Sequence, residues 1–269
     1  MATRFKSVVA LLAVVMVVAT AACASPPLEP TPNIEATIEA GIAATMVGVA
    51  TEMGVKATQA APSLAEEHLN LGDINFAIGA YAEAIEEYDK AIQIDPDDAM
   101  TYTSRGGAYG TLGQHEAALQ DFDKAIELDP KLARAYRNRA KSHLNLGHHQ
   151  LAVQDYDKAI QLDPGYSHAY NSRGAAYISL GENQRALEDF DKAIQRDSGS
   201  AMFYDNRGTA YGRLGENQRA IYDFDKAIQI DPDYARAYNN RGHAYRLLGQ
   251  DAEADADFTK ACSLDFQFC

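Results

Sequence analysis

The chain has 269 residues, with 38 acidic against 24 basic side chains and a formal charge of −14. That length holds one large domain or two small ones, and a composition 46% hydrophobic and 23% charged excludes wholesale disorder. The acidic balance excludes a generic phosphate-backbone binder, so no nucleic-acid partner is expected. Three cysteines, two of them in the last eight residues, exclude a disulfide framework and a Cys-rich zinc site.

Residues 1–22 read as an address rather than as structure. Arg4 and Lys6 make a short positive start, no acidic residue precedes Glu29, and Val8 to Ala19 is an unbroken apolar run. Such a run before small residues marks a secretory signal peptide, and it is shorter than the ~20 apolar residues a membrane-spanning helix needs. The ending Thr20-Ala21-Ala22-Cys23 resembles a bacterial lipoprotein lipobox, with Thr20 where that motif prefers Leu. The resemblance implies a lipidated Cys23 as first residue of the mature protein, anchored to the outer face of a bacterial membrane. Cleavage after Ala24 is the alternative, and would leave a secreted or periplasmic soluble protein. Losing residues 1–22 leaves 22 basic against 38 acidic side chains, a charge of −16.

Residues 23–32 form a tether. Pro26, Pro27, Pro30 and Pro32 forbid helix or central strand and favour an extended spacer. Residues 33–64 read as an amphipathic helix and linker. Asn33 is a suitable N-cap, and Ile34, Ile38, Ile42, Met46, Val49 and Met53 form a stripe spaced more widely than a heptad zipper. Glu35, Glu39 and Glu52 on the polar face argue against a membrane-surface helix.

Residues 65–268 are six repeats of 34 residues: 65–98, 99–132, 133–166, 167–200, 201–234 and 235–268. With Ala65 as position 1, position 15 is always Gly, positions 20 and 27 are always Ala, and position 24 is always aromatic. Position 4 is Tyr in five repeats and position 8 is mostly Gly, which lets a second helix approach. Two antiparallel helices per repeat follow, with the position-15 Gly turning the chain between them. Asp-Pro at positions 31 and 32 then stops the second helix. Neither helix buries its stripe alone, so neighbouring repeats must stack on one continuous core. Period and spacing resemble the tetratricopeptide repeat, which implies an all-α, right-handed solenoid with a concave groove that holds peptides or protein segments.

The chain departs from that pattern in places. Tyr or His68 replaces Trp at position 4, and Arg replaces the usual Leu at position 7 in five repeats (Arg105, Arg139, Arg173, Arg207, Arg241). Because Arg and Asp recur in register, these arginines are expected to pair with acids at positions 23 and 25, Asp121 and Asp123 for instance. Ser198 and Phe266 stand where Pro is expected, which should loosen the end of repeat four.

No Gly-rich phosphate loop, H-E-x-x-H or nucleophile elbow occurs, so neither catalysis nor a cofactor is expected. His143, His148 and His149 cluster at one turn without ligand-spaced partners, and read as exposed loop histidines rather than a metal site. Cys262 and Cys269 can close a disulfide in an exported protein. The groove the resemblance implies is lined mainly by positions 2, 5, 9, 12 and 13. It brings Arg134, Arg137, Lys141 and Leu144 from repeat three, His168 and Ile178 from repeat four, and Arg213, Arg236, His243 and Arg246 from repeats five and six. Positive charge there would select an acidic segment or a free carboxylate. The expected function is therefore a non-enzymatic, envelope-tethered interaction scaffold. A self-assembling structural protein, whose last repeat leaves an open stacking face, and a binder of a small anionic ligand or glycan are the alternatives.

Overall fold

The computed structural model describes residues 63–269. The signal segment, the tether with Cys23, and nearly all of residues 33–64 lie outside the described residues. Among the described residues there are twelve α-helices and no strand. They come in pairs: α1 (Leu64–Ala77) with α2 (Tyr81–Ile94), α3 (Ala99–Thr111) with α4 (His115–Leu128), and α5 (Ala133–Asn145) with α6 (His149–Leu162). The series continues with α7 (Ser167–Ser179) and α8 (Asn183–Arg196), α9 (Ala201–Arg213) and α10 (Asn217–Ile230), and α11 (Ala235–Leu247) and α12 (Asp251–Leu264). A 3-10 turn at Phe266–Phe268 follows, and the sulfurs of Cys262 and Cys269 are joined across it. Each helix packs on the next, and each odd-numbered helix also meets the odd-numbered helix of the following repeat.

Local chemistry accounts for the boundaries. Ser63 accepts from the Glu66 N–H at 3.2 Å and starts α1 one residue ahead of the repeat register. At the end of α5, Gly147 has φ of 76°, its N–H donates to the Leu144 carbonyl, and the His148 N–H donates to that of His143 at 2.8 Å. That pair of bonds is a Schellman motif closed by a left-handed residue, and every repeat ends its first helix this way. At the other turn the position-31 Asp is the active element: Asp163 Oδ1 accepts from the Gly165 N–H at 3.1 Å. The end of repeat four is not loosened by Ser198, because Asp197 Oδ1 accepts from the Gly199 N–H at 2.9 Å in the same way.

Packing explains the invariant columns. A Cβ on Gly106 would stand 2.7 Å from Phe122 Cε1, so the position-8 glycine admits the position-24 ring. Ala118 and Ala125 flank that ring and are wholly buried. Repeat three varies this theme with Ala140 and Tyr156, both buried.

The position-7 arginines form a ladder between repeats. Arg139 donates through Nε and Nη2 to Asp155 at 2.8 and 2.6 Å, and through Nη1 to Asp123 at 2.6 Å. Asp155 belongs to the same repeat and Asp123 to the preceding one. The partners are thus the position-23 and position-25 acids, as expected, and they come from two repeats because an odd-numbered helix lies between two even-numbered helices and takes one carboxylate from each. Arg105, Arg173, Arg207 and Arg241 repeat the arrangement. Hydrogen bonds to Asp155, and against burial to Asp123, raise the Arg139 pKa above its ordinary value. Leu71 and Thr259 occupy the corresponding ladder positions of repeats one and six, so neither presents an idle partner.

Candidate functional site

A cleft of about 250 Å³ opens on the first helices of repeats one to three. Its floor is α3, where Gly106, Gly107 and Gly110 crowd one thirteen-residue helix. One wall is Asp73 and Phe76 of α1, and the other is Arg134, Arg137, Asn138, Lys141 and Asn145 of α5. Arg134, Arg137, Lys141 and Asn145 follow one another at three- or four-residue steps, with Asn138 beside Arg137, so the helix carries them on one broad face.

The glycines of α3 are not equivalent. Gly106 is required by Phe122, but a Cβ on Gly107 would meet nothing within 4 Å, and one on Gly110 would make only ordinary contacts at 3.7 and 3.9 Å. An interior glycine disfavours a helix by roughly 0.8–1.0 kcal/mol relative to alanine. Internal packing thus accounts for one of the three glycines.

The charge on the α5 wall is uncompensated. Arg134 is exposed, and Nη1 meets only the Met100 sulfur at 3.7 Å. The Arg137 guanidinium lies 4.7 Å above the Tyr166 ring, and its Nε reaches Asn138 Oδ1 at 3.3 Å. Lys141 is exposed. Among the described residues, none of these three cations forms an ion pair, whereas all five ladder arginines do. On the opposite wall the Tyr88 hydroxyl donates to Asp73 Oδ1 at 2.8 Å, and burial raises the pKa of that phenol.

The other groove candidates are placed differently. Leu144 and Ile178 are half-buried and pack into the core between repeats. The His168 ring lies between Tyr166 and Phe203, with centroids at 5.6 and 5.1 Å. Arg213 reaches the Ile178 carbonyl at 3.5 Å. Arg236 donates Nε to Asp205 and Nη2 to Asn206, each at 2.6 Å. Arg246 pairs with Asp251 and Asp255 at the start of α12. His243 meets Phe258 edge-on at 4.9 Å. The second basic group is therefore not assembled as a free cluster, because carboxylates of the protein already hold two of its arginines.

Sequence reasoning missed Asp205. This carboxylate has no exposed surface, accepts from Arg236 and from Asn240 Nδ2 at 2.8 Å, and has its pKa raised by burial. Position 5 varies through Leu69, Thr103, Arg137, Asn171, Asp205 and Asn239, so no column singles the carboxylate out. The glycine floor at Gly107 and Gly110 was missed as well, since neither belongs to an invariant column. His143 is not an exposed loop residue, as the sequence suggested, but sits in the last turn of α5 with its side chain largely covered. Its ring stands 5.6 Å from that of His148, and among the described residues no three His, Cys, Asp or Glu side chains are grouped to hold a metal. Among those residues, too, no helix is long and apolar enough to cross a membrane.

Comparison with known proteins follows the same lines. The TPR repeat model matches residues 72–113, 111–147 and 213–249. Tetratricopeptide repeat models match residues 133–166, 167–200 and 235–268. No curated protein matches the chain. Among solved structures, that of MamA is 27% identical with a TM-score of 0.56, over 64% of this chain and 94% of that one. YrrB, described as a TPR protein with an unusual peptide-binding site, is 22% identical with a TM-score of 0.55, over 66% of this chain and 92% of its own. Pseudomonas aeruginosa pilF is 19% identical with a TM-score of 0.67, over 75% and 92% of the two chains. With repeat models running through residues 72–200 and 213–268, over twelve paired helices, the chain belongs to the tetratricopeptide repeat family.

Proposed function

We propose that this chain is a non-enzymatic interaction scaffold that binds an acidic peptide segment in the cleft between α1, α3 and α5. The observation that carries the reading is that Arg134, Arg137 and Lys141 face a cleft without ion-pair partners, in a chain of charge −14 whose ladder arginines are all paired. Unpaired cations held on one helix face cost self-repulsion unless an anion joins them, and the anion supplies affinity and steering. Thr259, where a further ladder carboxylate would stand, favours this reading over end-to-end stacking of copies. The same proposal places the protein on the outer face of a bacterial membrane, held through lipidated Cys23 and the proline-rich tether.

The test is a titration of fluorescein-labelled octapeptides by anisotropy. An alternating Glu-Ala peptide should bind with an affinity that falls as salt rises, and an alternating Lys-Ala peptide should not bind. Replacing Arg134, Arg137 and Lys141 together by Ala should weaken binding several-fold and flatten the salt dependence, because exposed pairs contribute about 0.2–1 kcal/mol each. Equal binding of both peptides, or an unchanged triple variant, would overturn the reading.

A further inference from the structure

We infer that the ligand lies across α3 as extended main chain, with Gly107 and Gly110 as the floor that admits it and Gly107 as the residue that sets specificity. The inference rests on the acidic-segment reading and names how the segment is held.

Three observations converge. First, the fold does not require glycine at position 9: the other repeats carry Asp73, Lys141, Ala175, Thr209 and His243 there. A Cβ on Gly107 meets open space, so the missing side chain serves whatever enters the cleft. Second, Ser142 is 3% exposed and lines the cleft, and its hydroxyl has no hydrogen-bond partner among the described residues. Its Oγ lies 3.7 Å from where a Cβ on Gly110 would stand, so it points at the floor. The hydroxyl is reached from the cleft rather than sealed beneath it, so a peptide group laid over Gly110 would take the place of water on it. Third, Asn138 and Asn145 stand on the same wall, seven residues apart. Seven helical residues rise about 10.5 Å, close to the span of three extended residues. Each amide both donates and accepts, as a peptide group does.

Charge fixes how the segment faces. Asp73 on the α1 wall repels carboxylates, while the α5 wall attracts them. Alternate side chains of an extended segment point to opposite sides, so acids at every second position all face α5.

The alternating Glu-Ala octapeptide is the probe. Gly107→Leu should fold with an unchanged or higher melting temperature, since leucine is the better helix former. It should weaken binding roughly tenfold or more, because the side chain stands where the ligand must lie. Gly107→Ala should weaken binding less, and Ser142→Ala several-fold. Gly212→Leu is the control: a Cβ there also meets nothing within 4 Å, and Gly212 lies outside the cleft, so binding should not change. Wild-type affinity in both Gly107 variants, with binding lost in the Arg134/Arg137/Lys141 triple variant, would overturn the main-chain floor and leave the basic wall standing. Wild-type affinity in all of them, or no binding by the wild type, would overturn both.

Discussion

The Arg139 guanidinium reaches sixteen residues back to Asp123 of the preceding repeat, at 2.6 Å, while its other edge holds Asp155 of its own repeat. Each repeat is in this way bolted to the one before it by a planar fork that only arginine supplies. The two carboxylates differ in kind: Asp155 is buried, and the Asp123 side chain is 64% exposed.

That difference makes a contrast. Arg139→Ala leaves Asp155 buried without its partner and should destabilise the protein by about 3–5 kcal/mol. Asp123→Asn removes an exposed partner and should change stability by no more than about 1 kcal/mol. Chemical denaturation of both variants checks the pair, and equal losses would mean that both arms of the fork matter alike.

The turn at Gly147 offers a second test. A β-branched side chain at φ of 76° is strained, so Gly147→Val should cost about 1–3 kcal/mol. Gly147→Asn should cost less, because Asn tolerates left-handed geometry. Thermal melting of the two variants separates backbone strain from loss of space, since a Cβ there meets nothing within 4 Å.

Arg236 and Arg134 share repeat position 2 and should behave oppositely. Arg236→Ala strips the cation from fully buried Asp205 and should destabilise by about 3–5 kcal/mol. Arg134→Ala breaks no ion pair and should stay within about 0.5 kcal/mol of wild type. The acidic peptide should report the reverse order: its affinity should suffer from the loss of Arg134 and not from that of Arg236 in protein that remains folded.

His143 gives a pH dependence. Burial lowers its pKa below the ordinary 6.5, with Arg139 and His148 acting in the same direction and Asp155 and Asp123 opposing. A base with a depressed folded pKa takes up its proton more readily when unfolded, so stability is lost as pH falls through 6.5 toward the folded value. Melting temperature should therefore drop on acidification through this window. His143→Tyr, which restores the residue found at Tyr109 and Tyr177, should reduce that drop.

The proposed anchor is tested by fractionation. Wild-type protein should partition with membranes, and Cys23→Ser should be released or left unprocessed. Equal solubility of the two would remove the lipid anchor and favour cleavage after Ala24.

The repeat period, the paired helices and both turns were legible in the sequence because their causes are local and recur. Gly147 needs only its own φ and the carbonyls of its own helix, and Asp163 caps a turn two residues long. The columns at positions 8 and 24 likewise meet within one repeat, as Gly106 and Phe122 do. Repetition through six repeats turned each such contact into a visible pattern. Charge was a different matter. Arg134, Arg236 and Arg246 look alike as basic groove residues, yet one faces an open cleft, one is held by Asp205 from the preceding repeat, and one by Asp251 and Asp255. Asp205 sits at a variable repeat position, 31 residues from Arg236, so no periodic signal announces the pair. The partner of a long, flexible cation depends on which carboxylate the neighbouring helix brings within reach. That is decided only when the repeats stack.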